Sequence, residues 1–213
     1  MEPSLIAANS PIPPINLRNS RNWRPYNLFK ERDLMKDPAI LVSPEEYLNS
    51  SYKPDMDYVD GVLVRRNVGT LRHGSLQAML CVYFEQFRKS HRIKTFAETR
   101  LLVDRPTSRH RVPDILVLGI PYTKGKVVVD APAIIVEIQS PEDTFDDIVE
   151  RCFDYERRAV PNILVMDPEN RRAWRFVHGS LEIIASPAID LTLPSGLKLN
   201  FPAAQLFAEI DED

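Results

Sequence analysis

The sequence predicts one α/β domain built on a mixed sheet and preceded by an irregular N-terminal arm. The chain has 213 residues, 44% of them hydrophobic, so it can bury a sizeable core. Between residues 72 and 167 the apolar patterns follow the order helix, strand, strand, strand, helix, strand. Residues 1–42 instead combine proline, asparagine and arginine with isolated apolar side chains. This contrast predicts a flexible arm over 1–42 and a domain over 43–213.

Composition excludes several classes of protein. Lys and Arg number 27 against 30 Asp and Glu, a net charge of −3, so the chain is not broadly basic. No apolar run approaches the roughly 18 residues of a membrane helix, and the N-terminus lacks the apolar segment of a signal peptide. We therefore expect no membrane association and a cytoplasmic location. Cys81 and Cys152 lie in apolar helical patterns without further ligands at metal spacing, which predicts reduced thiols.

The first predicted elements are a short helix and a hairpin. Ser43 precedes Pro44 and Glu46, and these residue types suit a helix cap, a first helical position and a capping box. Asp60-Gly61 separates two short β-favouring runs, as in a two-residue hairpin turn.

Two long helices and several strands follow from the spacing of apolar residues. Helical spacing occupies residues 72–89 and a second segment that starts with Ser140-Pro141 and continues to about residue 158. The strand-like runs, rich in Ile, Leu, Val and aromatic residues, are 94–103, 112–120, 133–139, 162–166, 173–178 and 181–185.

Two acidic residues indicate where chemistry is expected. Asp114 follows Pro113 at the start of a buried strand, and Glu137 lies in an apolar run near the end of the next one. Carboxylates at the ends of adjacent strands can share a cation. A charge among apolar residues is costly unless a metal or a partner compensates it. A salt bridge to an arginine is the alternative explanation for these acids.

Both acids belong to a wider pattern in the sequence. Its parts, in order, are the Asp60-Gly61 hairpin, His73 at a helix start, Pro113-Asp114, Val136-Glu137-Ile138-Gln139-Ser140-Pro141, the Arg151-x-x-x-Tyr155 spacing, and Val160-Pro161 before Asp167-Pro168. Over roughly residues 43–205 this pattern resembles the Uma2 family of putative restriction endonucleases, in the PD-(D/E)XK nuclease superfamily. The resemblance implies a restriction-endonuclease-like core with added hairpins.

The resemblance also implies a Mg²⁺ site formed by Asp114 and Glu137. Mg²⁺ takes hard oxygen ligands, keeps several waters and stabilises charge that develops on a phosphodiester. Glu98, on the predicted strand before Asp114, is a third ligand or a water-holding group by the same resemblance. An ordinary surface glutamate is the alternative at that position.

At two positions the sequence departs from the pattern of the superfamily or family, and at others the role of the residue stays open. The superfamily lysine two residues after the glutamate is Gln139 here, which can bind a water but carries no charge. Arg151 stands where the family carries a lysine; it can contact a phosphate but cannot accept a proton. Tyr155, one turn later, is expected to pack with its hydroxyl directed to the site. His73 either contacts phosphate, assists proton transfer or makes only a local hydrogen bond.

Two basic runs interrupt the acidic chain, at residues 88–94 and 105–111. The second lies directly before Asp114, so Arg109 and Arg111 are the predicted nucleic-acid contacts. A solvated surface is the alternative explanation of both runs.

The resemblance thus implies a Mg²⁺-dependent endonuclease that hydrolyses phosphodiester bonds of DNA, with Asp114, Glu137, Gln139 and Arg151 as catalytic residues. The alternative is a catalytically silent protein of the same fold that acts as a binding or self-association module. Gln139 and Arg151 favour the alternative, whereas intact Asp114 and Glu137 oppose it. Formation of a homodimer stays open.

Overall fold

The computed structural model describes residues 41–67 and 69–210, so residues 1–40 of the predicted arm lie outside the described part. Within these residues the helices are α1 (Pro44–Asn49), α2 (Leu71–Glu85), α3 (Phe145–Arg157) and α4 (Ala203–Glu209). The strands of the same residues are β1 (Asp57–Val59), β2 (Val62–Val64), β3 (Ile93–Ala97), β4 (Leu101–Asp104), β5 (Arg109–Arg111), β6 (Ile115–Gly119), β7 (Ile134–Ile138), β8 (Ile163–Asp167), β9 (Arg172–Val177), β10 (Ser180–Ile183), β11 (Ile189–Thr192) and β12 (Lys198–Phe201).

A six-stranded mixed sheet forms the centre of the domain. Its order is β10-β9-β8-β7-β6-β3, with β7 and β8 parallel and the other neighbours antiparallel. Helix α2 packs Leu76, Leu80 and Phe84 on one face, and α3 packs Ile148 and Cys152 on the other. Successive side chains of a strand point to opposite faces of the sheet, so β7 contributes side chains to the hydrophobic core on each face. All of its residues are buried. The predicted arrangement of neighbouring strands between two long helices is confirmed.

Next to residues 98 and 114 the chain passes directly from one sheet to another. The predicted continuous strand 94–103 is two strands, because β3 belongs to the central sheet and β4 to a second sheet of order β2-β1-β5-β4. Glu98 lies in the break with a φ of 45°, a left-handed conformation that a regular strand does not contain. The prediction that Glu98 lies on a strand was therefore wrong. Pro113 and Asp114 form the corresponding break between β5 and β6, where proline lacks the N–H that a central strand would donate.

The second sheet carries the predicted hairpin. Strands β1 and β2 pair around Asp60 and Gly61, whose φ angles of 51° and 92° fit a two-residue turn of type I′. The Ser43 side chain accepts a hydrogen bond from the Glu46 N–H at 3.1 Å, so the predicted cap of α1 is confirmed. Val42 donates its N–H to the Gly61 carbonyl at 2.9 Å and is buried, so it packs with the domain.

Two further regions differ from the sequence prediction. Helix α3 starts after Thr144 rather than Ser140, because Thr144 and Asp147 form a reciprocal capping box. The residues before Thr144 form a turn, in which Asp143 accepts the Ser140 N–H at 2.8 Å. At the C-terminal end the prediction missed the β11-β12 hairpin and α4, which complete the core on the α2 face with side chains such as Phe201.

Within the two described ranges, no helix is both long enough and apolar enough to cross a membrane. Both cysteines are free thiols, with Cys152 buried and Cys81 half-buried. Burial raises the pKa of the Cys152 thiol well above its ordinary value, so this thiol stays protonated at neutral pH.

Candidate active site

Three acids lie side by side at the ends of neighbouring strands of the central sheet: Glu98 follows β3, Asp114 precedes β6 and Glu137 lies near the end of β7. Strands β6 and β7 pair antiparallel with Ile115 opposite Val136. One step further in this register, Asp114 lies opposite Glu137, and cross-strand neighbours share one face of a sheet. On the other side of Asp114, the Glu98 N–H donates to the Asp114 carbonyl at 3.2 Å. We call Glu98, Asp114 and Glu137 the acidic row.

The three acids differ in exposure. The side chains of Asp114 and Glu137 are 3% and 4% exposed, whereas that of Glu98 is 57% exposed. Water can solvate the Glu98 carboxylate. The two inner carboxylates instead need cations or hydrogen-bond donors from the protein or a ligand.

Asp114 is surrounded by donors. Its Oδ2 accepts the Ile138 N–H at 2.7 Å, and its Oδ1 accepts a hydrogen bond from the Arg66 guanidinium. The His73 Nε2 lies 3.4 Å from the same Oδ1. Burial alone would raise the pKa of Asp114, but the His73 hydrogen bond and the Arg66 charge outweigh it and lower the pKa. Asp114 is therefore a carboxylate at neutral pH.

Glu137 has the opposite shift. The Tyr155 hydroxyl donates to its Oε1, and the Arg151 Nε lies 3.2 Å from its Oε2. Burial raises the pKa of Glu137 to about 7 and the nearby Asp114 charge adds to this effect, while Arg151 and Tyr155 offset only part of it. At neutral pH Glu137 is therefore poised to bind either a proton or a cation. Catalytic sites typically contain adjacent carboxyl groups whose surroundings give them different pKa values.

Arg66 is a site residue that the sequence analysis missed. It lies in the segment that follows β2, its side chain is 15% exposed, and it contacts Asp114 and places Nη1 3.6 Å from Glu98 Oε1. Its position in the sequence, beside Arg65 and after a strand, resembles any solvated basic pair. Arg66 reaches the acidic row only because the segment after β2 packs against the central sheet.

His73 lies in the first turn of α2, where Thr70 caps the helix and accepts the His73 N–H at 3.2 Å. The imidazole lies between two site residues, with Nδ1 3.3 Å from the Ser140 hydroxyl and Nε2 near Asp114. Burial lowers the pKa of His73, but the hydrogen bond and the charge of Asp114 outweigh it and raise the pKa above its ordinary value. Of the three predicted roles, the local hydrogen bond is present.

Arg151 is shared by two acids. Besides the contact with Glu137, its Nη2 donates to Asp143 Oδ1 at 3.3 Å. Asp143 also accepts hydrogen bonds from Asn67 Nδ2 at 3.1 Å and from the Ser140 N–H at 2.8 Å. Asp143, which the sequence analysis did not single out, therefore anchors Arg151 from outside the acidic row.

Gln139 follows the end of β7 and is half-buried. Its N–H donates to the Met166 carbonyl at 2.8 Å, which extends the ladder between β7 and β8 by one residue. The backbone therefore fixes Gln139 two residues after Glu137, and its predicted contact with a water stays a prediction.

Arg109 and Arg111 belong to a buried ion-pair cluster. The Arg111 side chain is 3% exposed and contacts Asp57 at 3.0 Å, Glu150 at 2.9 Å and Asp154 at 2.7 Å. Arg109 donates to Asp154 at 3.1 Å. Both guanidinium groups bind acids of the protein rather than standing free for a phosphate, and the predicted contact of Arg109 and Arg111 with nucleic acid stays a prediction. The cluster instead ties β1 and β5 to α3, and the acids that bind the arginines come from distant parts of the sequence.

The donor set at the acidic row fits a hard divalent cation. Among the described residues, no group of three or more His, Cys, Asp and Glu is arranged to hold a metal ion. Mg²⁺, however, is commonly held by one or two carboxylates and retains waters. Asp114 and Glu137 are two such carboxylates, and each already faces a positively charged group, Arg66 and Arg151 respectively. Two buried carboxylates that both attract cations thus match the ligands of Mg²⁺.

A cleft opens beside the acidic row. It has a volume of about 350 Å³, and its lining includes Tyr52, Glu98, Thr99 and Lys126. Glu98 is the member of the acidic row that lines this cleft, so a ligand in the cleft would lie next to Glu98.

A mixed sheet between two helices, with paired acids on neighbouring strands, defines the restriction-endonuclease-like class of fold. The chain belongs to the Uma2 family, described as putative restriction endonucleases, whose profile matches residues 44–202. The structure is similar to the crystal structure of a putative nuclease from Anabaena variabilis, with a TM-score of 0.67 and 18% sequence identity, over 79% of this chain and 99% of that one. No curated protein matches the sequence.

Proposed function

We propose that this protein is a divalent-metal-dependent endonuclease that hydrolyses phosphodiester bonds of DNA, with Mg²⁺ as its cofactor and the cytoplasm as its location. Membership of the Uma2 family supports nuclease activity. The observation that carries the proposal is that two buried carboxylates lie next to each other, Asp114 just before β6 and Glu137 on the neighbouring β7.

The residues around the pair have separate roles in this proposal. Asp114 and Glu137 hold the cation, which would supply Lewis-acid activation of water and neutralise charge at the phosphate. Tyr155 orients Glu137 through its hydroxyl, and the charge of Arg151 favours the ionised form of Glu137. Gln139 positions the attacking water, as the lysine of the superfamily would, but without supplying charge.

A catalytically silent binding module is the second candidate. The observation that favours it is that arginines already contact both carboxylates, Arg66 at Asp114 and Arg151 at Glu137. In this case the acidic row is a structural ion-pair network, and the fold serves binding or self-association. A homodimer is compatible with both candidates.

Cleavage assays on purified protein separate the two. Supercoiled plasmid and single-stranded circular DNA are incubated with Mg²⁺ or with EDTA. The nuclease proposal expects nicking that requires the metal and falls at least about 100-fold in Asp114→Asn and Glu137→Gln. Glu142→Gln removes an exposed acid five residues after Glu137 and serves as the matched control. Wild-type protein that binds no Mg²⁺ at millimolar concentration and cuts neither substrate would falsify the nuclease proposal.

A further inference from the structure

Arg66 bridges two members of the acidic row, Asp114 and Glu98. Its guanidinium donates to Asp114 and lies 3.6 Å from Glu98. The side chain is almost buried at 15% exposure, and the charge of Glu137 also acts on it. It therefore lies where an electropositive group is required if no metal ion is bound.

We propose that Arg66 is the counter-ion of the metal-free acidic row, that a divalent cation displaces it from Asp114, and that its guanidinium then binds the phosphate of the substrate. The inference rests on the proposed function, and it adds a residue and an exchange of cations to it.

Competition follows from charge. A guanidinium and a divalent cation that use the same oxygen of Asp114 repel each other, and the repulsion is strong because the site is shielded from water. Bound Mg²⁺ therefore favours a position of Arg66 away from Asp114. Conversely, Arg66 weakens Mg²⁺ binding by the same interaction, because coupling between two ligands of one site is reciprocal.

Glu98 provides the second position for Arg66. It already contacts the Arg66 guanidinium, it is 57% exposed, and it lines the cleft of about 350 Å³. The segment that carries Arg66 is in neither a helix nor a strand, so a movement toward Glu98 breaks no ladder of hydrogen bonds. There the planar guanidinium would lie beside a residue that lines the cleft, and it is suited to bidentate contact with phosphate oxygens.

Arg151 differs from Arg66 in how firmly its second acidic partner is held. Its second acid is Asp143, which the Ser140 N–H and Asn67 fix in place. Arg151 is thus held at the site from outside the acidic row. Arg66, in contrast, is held by two members of the row, the buried Asp114 and the exposed Glu98, so it is the arginine that a metal ion releases.

Calorimetric titration with Mg²⁺ tests the competition. Arg66→Gln is expected to bind Mg²⁺ about tenfold more tightly than wild type, because the competing charge is gone. Arg65→Gln removes the same charge from the neighbouring exposed position and is expected to bind Mg²⁺ as wild type does. DNA cleavage at saturating Mg²⁺ should fall about 100-fold in Arg66→Gln and stay unchanged in Arg65→Gln.

Thermal unfolding gives a readout that needs no activity. In EDTA, Arg66→Gln should unfold at a lower temperature than wild type, since Asp114 has lost a partner, and Mg²⁺ should raise its midpoint by more than it raises that of wild type. Arg66→Lys keeps a charge near Asp114, so its Mg²⁺ affinity should remain within about threefold of wild type. Arg66→Met also removes the charge but keeps an apolar stem, so it covers the case in which Arg66→Gln fails to fold and should likewise bind Mg²⁺ about tenfold more tightly than wild type.

The outcomes separate the inference from the proposed function. Equal or weaker Mg²⁺ binding by Arg66→Gln, in a wild-type protein that binds Mg²⁺ and cuts DNA, overturns the inference and leaves the nuclease intact. Tighter binding with unchanged cleavage keeps the competition but removes the phosphate contact. If neither wild type nor Arg66→Gln binds Mg²⁺, the proposed function itself fails.

Discussion

The hydroxyl of Tyr155, on α3, donates a hydrogen bond to Glu137, on β7, and both side chains are buried. Arg151 contacts the same carboxylate from one turn earlier on the helix. Residues four apart lie on one face of a helix. A single face of α3 therefore fixes both oxygens of Glu137, and the conformation of this acid depends on how α3 packs against the sheet.

The Tyr155→Phe variant tests this dependence. The ring should stay packed in the core, while Glu137 loses the hydrogen bond that favours its charged form. We expect Mg²⁺ affinity to fall about three- to tenfold, with a loss of folding free energy of only about 1 kcal/mol. Calorimetry and denaturant unfolding measure the two effects.

Tyr58→Phe is the matched control for that variant. Tyr58 is also buried, and its hydroxyl donates to the Val42 carbonyl at 3.0 Å, away from the acidic row. The control should lose a similar folding free energy and keep its Mg²⁺ affinity. Equal Mg²⁺ affinities in the two variants would contradict the role of Tyr155.

The inner carboxyl pair could be predicted from the sequence, and its other partners could not. The pair of Asp114 and Glu137 follows from two apolar strands, whose alternation of side chains fixes which residues share a face. Arg66 and Asp143 reach the site from loops, and no periodicity specifies where a loop residue ends. Glu98 was placed on a strand because its neighbours favour strands, although its left-handed backbone interrupts the strand there.

The pH dependence of stability tests the raised pKa of Glu137. A carboxyl group with a folded pKa of about 7 and a reference value of 4.5 binds its proton more tightly in the folded state. Its contribution to stability is fully present below pH 4.5 and is lost as the pH rises through about 7. We expect the metal-free protein to lose on the order of 2 kcal/mol of folding free energy from this group between pH 5 and pH 8.

Variants at Glu137 and Glu142 identify the source of that loss. Glu137→Gln cannot ionise, so its stability should decline less over the same pH range. Some decline should remain, because the raised pKa of His73 gives a contribution that is present below pH 6.5 and is lost above it. Glu142→Gln should follow the wild-type profile. The folding free energy at each pH is measured by chemical denaturation. If it changed with pH equally in wild type and in Glu137→Gln, Glu137 would have an ordinary pKa.

The ion-pair cluster of Arg111 makes a prediction about stability rather than nucleic-acid binding. Asp154 is 1% exposed and contacts both Arg109 and Arg111. Asp154→Asn removes the charge that compensates two nearly buried arginines, so it should lower the folding free energy by about 3 kcal/mol. The measurement is the denaturant midpoint, at an unchanged slope of the transition.

Arg105→Gln controls for the overall charge of the same basic run. Arg105 is exposed, so its replacement should change the folding free energy by less than about 0.5 kcal/mol. If Arg111→Gln were to lower DNA affinity with a reduced salt dependence while the protein kept its full stability, the cluster would be a phosphate contact after all.

Combining substitutions at Glu98 and Arg66 decides the role of Glu98. Glu98 is either a ligand of the metal or the residue that holds Arg66 away from Asp114. In both cases Glu98→Gln weakens Mg²⁺ binding, about two- to fivefold, but for different reasons: a ligand charge is lost, or Arg66 competes more strongly. The contact of 3.6 Å between Arg66 and Glu98, together with the exposure of Glu98, favours the second reason.

A double-mutant cycle separates these reasons, because contacting residues show non-additive effects when one acts through the other. In the Arg66→Gln background, Glu98→Gln should leave Mg²⁺ affinity within about a factor of 1.5, since no competing guanidinium remains to be held. Calorimetry on the four proteins gives the coupling directly. If the double variant instead bound Mg²⁺ two- to fivefold more weakly than Arg66→Gln alone, Glu98 would be a ligand of the metal. The acidic row would then supply three carboxylates to the metal.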